Sequence, residues 1–136
     1  LMLRGSYTYA DFFFDGDAIY GDNDLPVAPE HQLGAMLRYT HSAGWFVAPR
    51  VEWRPSDAWG DYANTLKAPG YTIWSLNAGW DFDNGVSLFV DARNLTDETY
   101  VPEFGAVVDA SAPGANTAVF YPGESRAVYG GLSYRF

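Results

Sequence analysis

A chain of 136 residues with 17 acidic and 8 basic side chains, a net charge of −9 and no cysteine lacks the basic footprint of a nucleic-acid binder. It also lacks the thiols that disulfides or thiolate metal sites require. Aromatics and charged residues each make up 18%, which is too aromatic for disorder and too lightly charged for an ordinary soluble surface, and no run of eighteen apolar residues offers a transmembrane helix, a limit that says nothing of barrel strands.

In chain order, the first predicted strand covers residues 3–14. Leu3, Tyr7 and Tyr9 fall on one face and Arg4, Ser6 and Thr8 on the other. The alternation breaks at Phe12, Phe13 and Phe14, which read as an interfacial end of the strand. Residues 15–31, with Asp15, Asp17, Asp22, Asp24 and two prolines, form a loop by composition. A second strand at 32–40 sets Leu33, Ala35, Leu37 and Tyr39 against Met36, Arg38 and Thr40. After a tight turn at 41–44, a third strand at 45–54 sets Trp45, Val47, Val51 and Trp53 against Arg50, Glu52 and Arg54. Pro49 has no N–H for the ladder, so a bulge or a weak hydrogen-bond position is expected there.

Residues 55–70 read as another long polar loop. A fourth strand at 71–82 sets Trp74, Leu76, Ala78 and Trp80 against Ser75, Asn77, Gly79 and Asp81. Asp83-Asn84-Gly85 is a short hairpin signal. A fifth strand at 86–95 sets Val86, Leu88, Val90 and Ala92 against Ser87, Phe89, Asp91 and Arg93. A long segment at 96–124 leads to the last strand, 125–136, in which Val128, Gly130, Leu132, Tyr134 and Phe136 alternate with Tyr129, Gly131, Ser133 and Arg135. Period two throughout means strands, not helices. The chain is all-β, with six antiparallel strands in up-and-down meander order.

Alternation alone does not separate a soluble sandwich, which hides its apolar face, from a membrane barrel, which hides its polar one. Two regularities favour the barrel. Connections alternate long, short, long, short, long, as in outer-membrane barrels with long extracellular loops and short periplasmic turns. Tyr39, Trp45, Trp80, Phe82, Tyr134 and Phe136 gather at one rim and Trp53 and Trp74 at the other, as aromatic girdles do. Six strands cannot close, since the smallest such barrels need about eight. The chain is therefore expected to be an open segment of a large transmembrane β-barrel. Leu1–Arg4 runs straight into a strand without a cationic leader, so the chain is expected to begin in mid-protein or after removal of a signal peptide.

Against that framework, residues 68–74, 83–85 and 91–100 (Asp-Ala-Arg-Asn-Leu-Thr-Asp-Glu-Thr-Tyr) resemble the C-terminal part of TonB-dependent outer-membrane receptors. Asn-Leu-x-Asp-x-x-Tyr at 94–100 is the most specific piece. Pro-Gly-x-x-Arg at 122–126 and the proline-containing 25–31 add to it, and the likeness covers essentially the whole chain. It implies one domain, 1–136, the C-terminal segment of a receptor barrel of about 22 strands, with the plug, the TonB-engaging box and the earlier strands absent. The implied function is uptake of a scarce nutrient, most often a ferric siderophore, energised through TonB, with no covalent chemistry and no cofactor. Implied partners are outer-membrane lipid, TonB and the barrel-assembly machinery through the full-length receptor, and a ferric siderophore or similar small ligand. The implied location is the bacterial outer membrane. Alternatives of other classes are a small passive porin-like or structural barrel, and a soluble carbohydrate-binding sandwich with Trp59 and Tyr62 as a sugar platform.

The resemblance also assigns roles. Trp59, Tyr62, Tyr100, Phe120 and Tyr121 on the long loops are ligand-contact candidates, set against plain loop packing. Arg50, Glu52, Arg54, Asp91 and Arg93 are lumen-facing charges, set against mutual pairing. Leu132, Tyr134 and Phe136 resemble the alternating signal that the assembly machinery reads. The acidic runs at 15–17 and 22–24 offer oxygen ligands for calcium but not EF-hand spacing. His31 and His41 have no partner at metal-ligand spacing, so no metal site is expected.

Overall fold

The computed structural model describes residues 1–82 and 84–136. Its strands are β1 (Met2–Tyr9), β2 (His31–Thr40), β3 (Trp45–Arg54), β4 (Ala58–Trp59), β5 (Lys67–Ala68), β6 (Tyr71–Asp81), β7 (Val86–Arg93), β8 (Glu103–Phe104), β9 (Phe120–Tyr121) and β10 (Ala127–Tyr134). The six long strands form one antiparallel sheet in the order β1-β2-β3-β6-β7-β10. Each long strand pairs with the next long strand in sequence, a meander without a crossover. β1 and β10 are its edges and do not pair with each other, so the sheet is open. No helix occurs among the described residues.

Cross-strand pairing carries the sequence alternation across the whole sheet. On one face run Tyr7, Leu33, Trp53 and Thr72, then Gly5, Ala35, Val51 and Trp74, then Trp45, Trp80, Leu88 and Leu132. On the other run Arg4, Met36, Arg50 and Ser75, and Ala48, Asn77, Asp91 and Tyr129. A third row there, Phe46, Gly79, Phe89 and Gly131, lays each phenylalanine ring over a glycine that has no Cβ to obstruct it.

The apolar face is uncovered. Trp53, Trp74 and Trp80 are each close to half exposed and Leu132 is 69% exposed, far more continuous apolar surface than a water-facing monomer carries. The buried cluster, Ala58, Ala68 and Phe104 with Val101 and Phe120 against it, lies instead in the long connections. A sheet apolar on its open side with its packed core in its loops suits a lipid solvent. The aromatics sit at its two ends: Trp45 packs 5.4 Å from Tyr39 and stacks at 5.0 Å on His41, and Trp80 stacks at 5.0 Å on Phe82. At about 3.4 Å of rise per residue, Trp45 and Trp53 stand about 27 Å apart along β3, comparable with an apolar band about 25 Å tall.

Three local expectations are refined. β1 stops at Tyr9, and Phe12–Phe14 belong to a narrow ladder inside the first long loop, with Phe13 bridged to Asp24 and Asp17 to Gly21. Pro49 makes no bulge: the β2–β3 register is the same before and after it, and only the pairs of Leu37 and Arg38 are missing. Its absent N–H is the one directed at β2, while Pro49 still pairs with Leu76 on β6. β10 ends at Tyr134. The Arg135 N–H still donates to the Gly85 carbonyl at 2.9 Å, but Phe136 lies past the strand, fully exposed. Of the hairpin at 83–85, Asp83 lies outside the described residues; Gly85 has φ 84°, where an added Cβ would come within 2.4 Å of the Arg135 carbonyl oxygen.

Candidate functional site

Two regions carry polar chemistry: the canopy of long loops at one end of the sheet, and the polar face beneath it. The canopy is held by two side chains that do not look special in sequence. Asp61 is completely buried. Its carboxylate accepts from the Thr65 and Leu66 N–H groups at 2.8 and 2.9 Å, from the Thr65 hydroxyl, and from the Ala110 N–H at 3.0 Å. Burial pushes its pKa up, but the four bonds outweigh burial and hold it below the ordinary aspartate value. Asn64 (φ 54°) faces the first long loop, pairing with both backbone groups of Asp24. Loops 10–30, 55–70 and 94–126 are thus tied together.

The five aromatic candidates are mostly embedded in that canopy. The Trp59 Nε1–H donates to Asp24 at 2.8 Å, and Lys67 lies 4.6 Å over its ring. Tyr62 packs with Phe14 and Tyr20 in a three-ring cluster. Phe120 meets Phe104 edge-on at 5.9 Å. The Tyr100 ring is 4.9 Å from that of Tyr71. Burial first, then the carboxylates of Glu52 and Glu124, push the Tyr100 phenol up, so at neutral pH it remains a neutral hydroxyl. Tyr121 stands apart from the other four in its 62% exposure.

The five charged residues expected to face the lumen divide. Arg50 reaches Glu52 at 3.8 Å, both about half exposed. Arg93 binds Asp91 at 2.7 Å, approaches Glu124 at 3.6 Å and covers the Tyr129 ring at 4.8 Å. Arg54, on the same face by alternation, is only 3% exposed because loops fold over it. It donates to the carbonyls of Pro69 and Val101 at 2.8 and 2.9 Å and lies against Tyr71 and Phe104. Between the two ion-paired groups lies a cavity of about 350 Å³, lined by Arg50, Glu52, Arg93, Tyr100 and Glu124 among others.

Asn94 closes that cavity's floor. It sits at φ 47°, is 1% exposed, accepts from the Glu98 N–H, and donates to the carbonyls of Glu98 and Glu124. Asp97 then holds the Arg126 N–H at 2.9 Å. The Asn-Leu-x-Asp element thereby fastens the exit of β7 to the entry of β10. Leu132 and Tyr134 lie on the apolar face of β10, with Phe136 beyond them and 6.4 Å from Tyr134. Within the acidic runs, Asp17 caps the Ile19 and Tyr20 N–H groups and Asp22 accepts from the Gly16 N–H of the same loop, while Asp24 accepts from Trp59 of the second loop. No group of three or more metal-ligating side chains assembles among the described residues.

A meander of tilted-barrel strand length, apolar and girdled on one side and charged on the other, defines a segment of a large outer-membrane-type barrel. More narrowly, residues 1–95 match the family described as TonB dependent receptor-like, beta-barrel, and the chain belongs to that family, whose members are transport receptors and not enzymes. Over its whole length it is 25% identical to the ferrioxamine B receptor of Salmonella typhimurium and 28% identical to the ferrioxamine receptor of Yersinia enterocolitica. It spans 19% of the length of each. Among solved structures, 96% of the chain superposes on the siderophore receptor PiuA from Acinetobacter baumannii with a TM-score of 0.75 and 21% identity, covering 19% of that chain. The ferric citrate transporter FecA in its unliganded form gives 0.74 and 19% identity, again over 96% of this chain and 20% of the other. These two likenesses are of fold.

Proposed function

We propose that the chain is the C-terminal wall segment of an outer-membrane receptor that takes up a ferric siderophore with energy delivered through TonB. The observation that carries this reading is the match of the whole chain to 19% of the length of two ferrioxamine receptors, on a sheet with a lipid-type outer face. The polar face then lines the lumen, the short turns lie on the periplasmic side and the loop canopy faces outward. Two open edges in lipid are untenable, so β1 and β10 are completed by further strands of the same receptor. In this reading Tyr121 and the rim of Tyr100 are the canopy aromatics best placed for ligand, while Trp59, Tyr62 and Phe120 shape the loops. Leu132, Tyr134 and Phe136 serve recognition by the barrel-assembly machinery. The test is radiolabelled iron uptake in a bacterium stripped of its own receptors and expressing the full-length receptor, with and without TonB. Uptake from at least one ferric siderophore that vanishes without TonB is expected; TonB-independent uptake would favour a passive pore.

A further inference from the structure

Half of the chain's basic residues, Arg4, Arg38, Arg50 and Arg54, lie on the polar face of the three adjoining strands β1–β3. A single carboxylate, Glu52, shares that face with them. In a chain of net charge −9 this is a marked segregation, and inside a low-dielectric wall such clustering raises the local potential felt by an anion.

The clustering has a shape. Two hollows, of about 560 and about 200 Å³, adjoin on this face and share Ser6, Gly34 and Glu52 in their linings. Arg4 and Arg50 line the larger and Arg54 the smaller. Gly34 keeps the common floor open, since a Cβ there would come within 3.1 Å of the Ser6 hydroxyl. The Arg54 Nε–H is buried with no acceptor, while its Nη2 group donates to the loop carbonyls of Pro69 and Val101. A buried charged donor left without an acceptor is costly, and guanidinium donors match the paired oxygens of a carboxylate.

We propose that this groove binds a carboxylate-bearing anion, and hence that the receptor's cargo is an anionic ferric chelate instead of a cationic one. The inference rests on the reading of the polar face as the lumen of a siderophore receptor and adds the charge class of the ligand. Three guanidiniums against one carboxylate leave the groove positive, which attracts carboxylates and repels an ammonium-bearing chelate.

Arg4 and Arg50 are the residues to test, because both are exposed and neither holds the canopy, whereas replacing Arg54 would also release two loop carbonyls. Binding of two probes, ferric citrate and ferrioxamine B (which carries a free ammonium), is measured calorimetrically on the detergent-purified full-length receptor. The wild type is expected to bind ferric citrate more tightly than ferrioxamine B. Arg50→Gln and Arg4→Gln should each weaken ferric citrate roughly tenfold, the loss of one charged hydrogen-bonding partner, and leave ferrioxamine B unchanged or improved. Arg50→Lys should fall between. Tighter binding of ferrioxamine B, ferric citrate binding indifferent to both variants, or binding of neither probe would each overturn the groove assignment. TonB-dependent uptake from any siderophore would still stand in those cases, so the receptor reading is judged separately.

Discussion

Asn64 and Asp24, forty residues apart, grip each other through both backbone groups of the aspartate: the Asp24 N–H donates to Asn64 Oδ1 at 2.8 Å and Asn64 Nδ2 donates to the Asp24 carbonyl at 2.9 Å. The side-chain amide thus mimics a strand partner and joins the first long loop to the second. Asn64→Ala removes both bonds, a local loss of about 1–3 kcal/mol. Hydrogen exchange in the full-length receptor should show faster exchange at the Asp24 amide and its neighbours, with β2–β3 protection unchanged. Unaltered loop exchange would mean that Trp59 to Asp24 and Asn23 to the Tyr62 carbonyl suffice alone.

Asp61 is the second tie, and its chemistry sets a pH window. Its folded pKa lies below the unfolded value, so its contribution is fully present above the ordinary aspartate pKa, about 3.9, and is lost as pH falls through the lower folded value. After correction for intrinsic rates, exchange at Thr65, Leu66 and Ala110 should be flat from pH 7 to 5 and rise only in strong acid. Asp61→Asn cannot accept all four bonds, so it should raise exchange at those amides at pH 7, the cost of leaving buried donors unpaired being about 1–3 kcal/mol each.

Neither tie was legible beforehand, whereas the sheet was. Leu76 and Asn77 are assigned to opposite faces by period two alone, and pairing with Ala92 and Asp91 keeps them there. Such alternation is a local property that survives without knowledge of the partner. Asp61 meets Ala110 across 49 residues, and no periodicity links a loop aspartate to an amide that far away. Arg54 shows the same limit: alternation places it beside Arg50 and Glu52, but only the folding of residues 69 and 101 over it turns a surface charge into a buried clamp. The Asn94 clasp lies between these cases. Its motif stood out, and two of its three amide bonds are local, to Glu98, yet the third needed the Glu124 backbone to be brought alongside.

The facing of the sheet is open to direct measurement. Spin labels at Leu76 and Asn77 in the full-length receptor in lipid vesicles should report oxygen-accessible lipid and metal-chelate-accessible water respectively. A reversed result would place the whole strand one residue out of register, since a one-residue slip exchanges the faces.

Two ring-on-glycine contacts should respond differently to a methyl group. At Gly79 an added Cβ would approach the Phe46 ring at 2.5 Å and also the Leu88 carbonyl oxygen at 2.8 Å, whereas at Gly131 its three nearest neighbours all belong to the Phe89 ring. Gly131→Ala should therefore lose about 1–3 kcal/mol from overpacking and regain much of it when combined with Phe89→Ala. Gly79→Ala should keep most of its loss when combined with Phe46→Ala, because backbone cannot step aside. Urea unfolding of the receptor in micelles compares the two pairs; equal rescue in both would show that β6 and β7 shift enough to accommodate the methyl.

Phe136 gives the sharpest division between packing and recognition. Its side chain is fully exposed and its ring is 6.4 Å from that of Tyr134, so within this sheet there is little burial for it to lose. Leu132 and Tyr134, by contrast, pair with Leu88 and Val86 on β7. If Phe136 acts through the assembly machinery, Phe136→Ala in the full-length receptor should lower surface-labelled receptor several-fold while the unfolding midpoint and the uptake per surface receptor stay at wild-type values. A girdle role alone predicts the opposite pattern, normal surface levels with a lower midpoint, because burying an aromatic ring in the interface contributes about 1.5–3 kcal/mol. Leu132→Ala serves as the contrast: its side chain lies in a paired position on the apolar face, so its loss should register in the midpoint whichever role Phe136 has.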